Sequence, residues 1–190
     1  DSEEQRSKNS HLFLNIEPEI MKGLTDVCDK AGVTINSIVE LVWGITLGIY
    51  NRTQDAVFAK VVSGRNSTKL NLDNIVALCI NSVPVRVMFD YNDTVVEALR
   101  KVQSQAAETN EHDYCPLSEI IAQTPLQSEL FQSIIAFENY PDEEKKSDES
   151  AALSITGDDH NEEVFSDISF SVSANDEKTK MLFNMSYNTA

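Results

Sequence analysis

Apolar residues along this chain recur at two periods, and each change of period marks a new element. Between His11 and Pro18, Leu12, Leu14 and Ile16 fall on one side of an extended segment, which predicts a half-buried strand. From Pro18 the spacing becomes Ile20, Leu24, Val27 and Cys28, the apolar stripe of a helix. Pro18 suits the first turn, where its missing N–H costs nothing, and Gly32 suits the close. Thr34 is placed to cap a second helix, Ile35 to Tyr50, with apolar side chains on nearly every side. A helix of that kind belongs in the middle of a domain.

The pattern then returns to strand. Ala56 to Val62 is a buried-strand run that ends abruptly in Ser63, Gly64 and Arg65. After a polar loop, a second apolar run extends from Ile75 to Val87, broken by Asn81, Ser82 and Pro84. Thr94-Val95-Val96-Glu97 forms a capping box that opens a helix with Val95, Leu99, Val102 and Ala106 inward. The turn NEHDYCP leads to a short helix over LSEIIAQ and a strand over LFQSIIAFENYP. Two alternating strands, SDISFSVSA and KMLFNMSYN, come last. The order strand, helix, helix, strand, strand, helix, helix, strand, strand, strand predicts a mixed sheet with helices packed on it, the α/β (α+β) class.

Residues 1–10 are polar and aperiodic and read as a linker, leaving residues 11–190 as one folded unit. Within it, residues 142–163 carry a cluster of carboxylates and little apolar content, which reads as a mobile, solvated excursion between strands. Its spacing lacks the ordered D-x-D-x-D-G of a calcium loop, and no metal site is expected.

Composition narrows the function. With 31 acidic against 15 basic residues the net charge is −16, which repels a phosphate backbone and an anionic membrane surface, so neither nucleic acid nor membrane is expected as a partner. No apolar run approaches the roughly 18 residues of a membrane span. Cys28, Cys79 and Cys115 are odd in number and widely spaced, which argues against a disulfide framework or a zinc site and points to a reducing cytoplasm. Cys28 and Cys79 fall among apolar residues, as core cysteines do.

The familiar catalytic constellations are missing. There is no G-x-S-x-G elbow, P-loop, G-x-G-x-x-G or H-E-x-x-H. His112 beside Asp113 offers a base and an orienting carboxylate, but sequence neighbours seldom place their side chains in that relation. On its residues alone the chain is a scaffold that delivers Ser63, Gly64 and Arg65 to one rim, without an engine.

Four stretches in order change that picture: TINSIVELVWGITLGIYNRTQDAVFAKVVSGRN, LCINSVPVRV, HDYCPLSEI and LFQSIIAFENYP. Together, over about Leu12 to Asn188, they resemble the carboxy-terminal lobe of condensation domains of nonribosomal peptide synthetases. The resemblance implies one lobe of a chloramphenicol acetyltransferase-like fold, in which two lobes enclose a tunnel. It implies amide formation between two thioesters, a donor acyl or peptidyl group and an acceptor aminoacyl group, carried on the phosphopantetheine arms of carrier proteins. The family's His-His-x-x-x-Asp-Gly motif belongs to the amino-terminal lobe and is absent here, so this chain alone is expected to be inactive. Expected partners are that lobe, the carrier proteins and an adjacent adenylation domain, with self-association through the uncovered lobe interface.

The same resemblance places Ser63, Gly64, Asn81 and Ser82 along the tunnel, with Ser63 helping to polarise a tetrahedral oxyanion, and no catalytic residue proper in this lobe. It makes Arg65, Pro84, Arg86, His112, Asp113, Glu138 and Asn139 structural members of the family motifs. Ala59 and Ala77 stand where the family usually has Gly, and Cys79 where an aromatic is usual. An epimerisation domain, or a non-catalytic docking module of the same fold, shares this lobe and stays open as an alternative.

Overall fold

The computed structural model describes residues 9–65, 76–138, 166–175 and 179–189. Along them run β1 (Asn9–Ile16), α1 (Pro18–Ala31), α2 (Ile35–Asn51), β2 (Asp55–Val62), β3 (Asn81–Met88), α3 (Val95–Asn110), α4 (Leu117–Ala122), β4 (Ser133–Glu138), β5 (Ile168–Ala174) and β6 (Met181–Asn188). A single 3-10 turn at Gln127–Glu129 precedes β4. The ten main elements follow the order read from the sequence. The six strands form one mixed sheet in the order β1-β6-β5-β4-β2-β3. Strands β2, β4 and β5 run parallel, and the other three pair antiparallel.

Local chemistry fixes the helix ends. Gly32 closes α1 at φ 70°, a left-handed conformation that costs glycine nothing, and its N–H bonds to the carbonyl of Cys28. Thr34 caps α2 by accepting from the N–H of Ser37. Thr94 and Glu97 complete both halves of the capping box on α3. Backbone N–H and hydroxyl bonds from Thr94 hold the Glu97 carboxyl below its usual range.

The core lies between α1, α2, α3 and one face of the sheet, where Phe58, Val85, Val87, Ile135 and Val172 meet Met21, Leu41 and Leu99. Trp43 of α2 stacks on Phe170, and its indole N–H donates to the Ser133 hydroxyl at 3.2 Å, tying the central helix to β4. Among the described residues no single helix is long and apolar enough to cross a membrane.

Several expected faces are rotated or absent. On α1 the buried positions are Met21, Cys28 and Ala31, while Ile20 and Val27 are exposed, so the seam lies one residue round from the expected stripe. On α3, Val95 is exposed and Ala98 takes its place. Leu12 and Leu14 of β1 are exposed, because β1 is an edge strand and only its end, at Ile16, meets the core. The run from Ile75 does not make a long strand. Ile75 lies outside the described residues, Val76, Leu78 and Ile80 are exposed, and β3 starts only at Asn81 because β2 supplies no partner beyond Val62. Cys79 is therefore half-buried in that extended lead-in, not a core residue. Strand β1 takes in Asn9 and Ser10 from the stretch read as linker, and residues 142–163 lie outside the described residues.

Candidate functional site

The parallel strands share a carboxyl edge, the usual place for ligands in open α/β sheets. At that edge β2 ends at Val62, directly opposite Asn81 at the start of β3. Ser63 follows and is exposed, with its Oγ accepting from the N–H of Arg65 at 3.3 Å. Gly64 has φ +64°, and a Cβ on it would collide with the carbonyl oxygen of Cys79. Both facts require glycine: the backbone turns left-handed while the incoming chain lies against it. The Arg65 guanidinium donates to the Ala77 carbonyl at 3.1 Å, so the exit from β2 grips the lead-in to β3 at two points.

Asn81 ties a third segment to this edge. Its side-chain Nδ2 donates to the carbonyls of Asp113 at 2.8 Å and Cys115 at 2.7 Å. The turn between α3 and α4 is thereby locked to the first residue of β3. Pairing along β4 sets Ala59 beside Ile134 and Lys60 beside Ile135, an offset that carries Glu138 toward the same edge. Asn139 lies outside the described residues. Ser82 sits half-buried opposite Val61.

His112 and Asp113 do not form a base and its orienter. Asp113 is 1% exposed and neither of its carboxylate oxygens has a hydrogen-bond partner among the described residues, whereas His112 is exposed and tilts toward Tyr114. An open cleft of about 820 Å³ lies beside this turn, bordered by Val83, Pro84, Glu108, His112 and Tyr114. Pro84 and Arg86 alternate with the buried Val83, Val85 and Val87. Arg86 belongs to the far end of the hairpin, where its two forked N–H groups hold Asp55 at 2.8 and 2.7 Å. That grip keeps the Asp55 carboxyl below its ordinary range.

One polar feature escaped the sequence reading. Lys60 and Glu40 form an ion pair at 2.9 Å inside the core, with side chains 8% and 1% exposed. Asn36 donates to the same glutamate at 2.7 Å. Each residue interrupts an apolar element, and that double interruption was the available signal: a buried charge requires a partner.

The geometry therefore gathers Ser63, Gly64, Arg65, Asn81 and the His112–Cys115 turn at one edge. It supplies an exposed hydroxyl and a rigid backbone turn, with no nucleophile–base pair among the described residues. Against known proteins, the Condensation domain family model matches residues 1–190. Tyrocidine synthase 3 of Brevibacillus parabrevis is 32% identical over the whole chain, which spans 3% of that protein. A holo four-domain nonribosomal peptide synthetase bound to AMP and glycine superposes with a TM-score of 0.74 at 15% identity, over 96% of this chain and 15% of that one. The condensation domain of Monacolin K polyketide synthase gives a TM-score of 0.74 at 16% identity, over all of this chain and 44% of that one.

Proposed function

The chain belongs to the condensation-domain family, and from that premise we propose that it is the carboxy-terminal lobe of a nonribosomal peptide synthetase condensation domain. The observation that carries this reading is the gripped exit of β2, where Gly64 packs on Cys79 and leaves the Ser63 hydroxyl exposed at the carboxyl edge of the sheet. An edge that offers a fixed donor but no nucleophile–base pair among the described residues suits half of a shared chamber. The other half then brings the His-His-x-x-x-Asp-Gly motif, and carrier proteins bring both thioesters on phosphopantetheine arms. An adenylation domain is the expected neighbour.

In this reading the acceptor amine attacks the donor thioester carbonyl, and a tetrahedral oxyanion forms. The amine loses a proton, the carbon–sulfur bond breaks, and the donor's carrier leaves as thiol. Ser63 donates its hydroxyl hydrogen to the oxyanion, Gly64 lets the chain turn out of the way, and Asn81 holds the turn that walls the same edge.

The test joins this chain to its amino-terminal lobe and measures amide formation between two carrier-loaded substrates. The two-lobe protein is expected to make product and the present chain alone to make none. Ser63→Ala is expected to lower the rate by about 10²–10³ if the oxyanion role holds. Rate retained in Ser63→Ala removes that role and leaves only shape. A two-lobe protein that inverts the acceptor α-carbon without joining the substrates, or does neither, overturns the amide-forming reading.

A further inference from the structure

The sheet has two edges, and they are treated differently. At one edge β3 carries Pro84, which lacks an N–H, and Arg86, which is ion-paired to Asp55. Both are the usual ways a protein keeps an edge strand from pairing with another chain. At the other edge, among the described residues, β1 pairs only with β6. It carries no proline and no Asp, Glu, Lys or Arg from Asn9 to Ile16, in a chain with a net charge of −16. Its apolar side chains point outward on both faces: Leu12 is 54% exposed, Phe13 66% and Leu14 59%.

The sequence of that edge is nearly the same read in either direction. About Phe13 it runs His-Leu-Phe-Leu-Asn. An antiparallel partner of identical sequence, related by a twofold axis at Phe13, sets Leu12 opposite Leu14, Leu14 opposite Leu12, Phe13 opposite its own copy, and His11 opposite Asn15. The faces agree as well. Leu12 and Leu14 lie beside Met185 and Phe183, and Phe183 packs on the core, so this is the helix-bearing face. His11 and Phe13 lie on the other face, where His11 already sits 3.4 Å from the amide oxygen of Asn184. Directly opposed side chains share a face in antiparallel pairing, so leucine meets leucine and ring meets ring.

We propose that β1 pairs edge to edge with β1 of a second copy of this chain, making one continuous sheet across a twofold axis. The contact is isologous, as twofold contacts between identical chains are. It is independent of the amide-forming reading, since it uses none of the residues at the carboxyl edge of β2.

The 190-residue chain is measured by sedimentation equilibrium beside Phe13→Lys, which sets two positive charges face to face at the axis. The expected result is a dimer for the parent chain and, for the variant, a dimer dissociation constant raised by about tenfold or more, with unchanged circular dichroism. Under mild oxidation Phe13→Cys is expected to give a covalent dimer, because residue 13 faces its own copy. Ser10→Cys is expected not to, because residue 10 faces Ile16; the parent chain controls for its three native cysteines. A monomeric parent, a Phe13→Lys protein as dimeric as the parent, or equal crosslinking of the two cysteine variants overturns the proposal.

Discussion

At Gly64 and at Lys60, one atom or one charge decides whether β2 reaches the site in shape. Gly64→Ala adds a methyl to a backbone at φ +64° that already lies against Cys79. Left-handed strain costs about 1–3 kcal/mol for a non-glycine residue, and relief of the clash requires the lead-in to β3 to move. The variant is expected to lower the urea midpoint and, in a two-lobe protein, to lower amide formation more than a Ser63→Ala change that removes only the hydroxyl. A Gly64→Ala protein of parental stability sinks this account of the turn. Four residues earlier in β2, Lys60 is buried as a pair with Glu40. Lys60→Met leaves Glu40 charged in the core without its partner, at a cost of about 3–5 kcal/mol. Glu40→Leu with Lys60→Met removes both desolvation penalties and is expected to recover most of that loss, or exceed the parent. Thermal melts of the three variants decide it; a double variant as unstable as Lys60→Met shows that the pair is not the cause.

Among the elements, α2 carries the most informative glycines. Gly44 and Gly48 face the sheet, and a Cβ on Gly44 would strike the Val87 side chain, while one on Gly48 would lie 2.7 Å from Phe89 and from the Thr53 carbonyl. Gly23, in the middle of α1, has nothing within 4 Å of its Cβ position. Helix propensity alone favours alanine by about 0.5–1 kcal/mol at all three. Gly23→Ala is expected to stabilise by that amount, and Gly44→Ala to destabilise despite the same propensity gain, as read by chemical denaturation. Matching signs would mean that α2 does not lie as close to β3 as described. The order of elements was legible because caps and periods are local: Thr34, Thr94 and Gly32 announce their helices whatever surrounds them. Which face of a helix turns inward was not local. Ile20 and Val95 fit their stripes, yet both are exposed, with no described residue burying them. The same holds for the run before Asn81, which has strand composition but no strand beside it among the described residues. At the candidate site, Ser63, Gly64, Arg65 and Asn81 lie together at one edge, but the Asn81 bonds to the Asp113 and Cys115 carbonyls join residues more than thirty apart in the chain, and no pattern along a sequence reports such a contact.

At the scale of the molecule, the two most exposed large apolar side chains among the described residues lie on the lead-in to β3, where no strand pairs with it among those residues. Val76 and Leu78 are 103% and 88% exposed, on an extended segment pinned from behind by Gly64 and Arg65. Monomeric surfaces rarely hold such a run unless something covers it. If this chain is half of a two-lobed domain, the covering partner is the other lobe, and the same side chains must have opposite effects in the two settings. In the 190-residue chain alone, Val76→Ser with Leu78→Ser removes apolar surface from water and is expected to reduce binding of a hydrophobic dye and to raise solubility, with the melting temperature unchanged. In the two-lobe protein the same pair of changes puts hydroxyls into a packed interface. There it is expected to lower the melting temperature and the rate of amide formation together. Effects of the same sign in both settings would mean that this segment faces solvent in the complete protein. The tunnel wall would then have to be sought elsewhere along the carboxyl edge of β2.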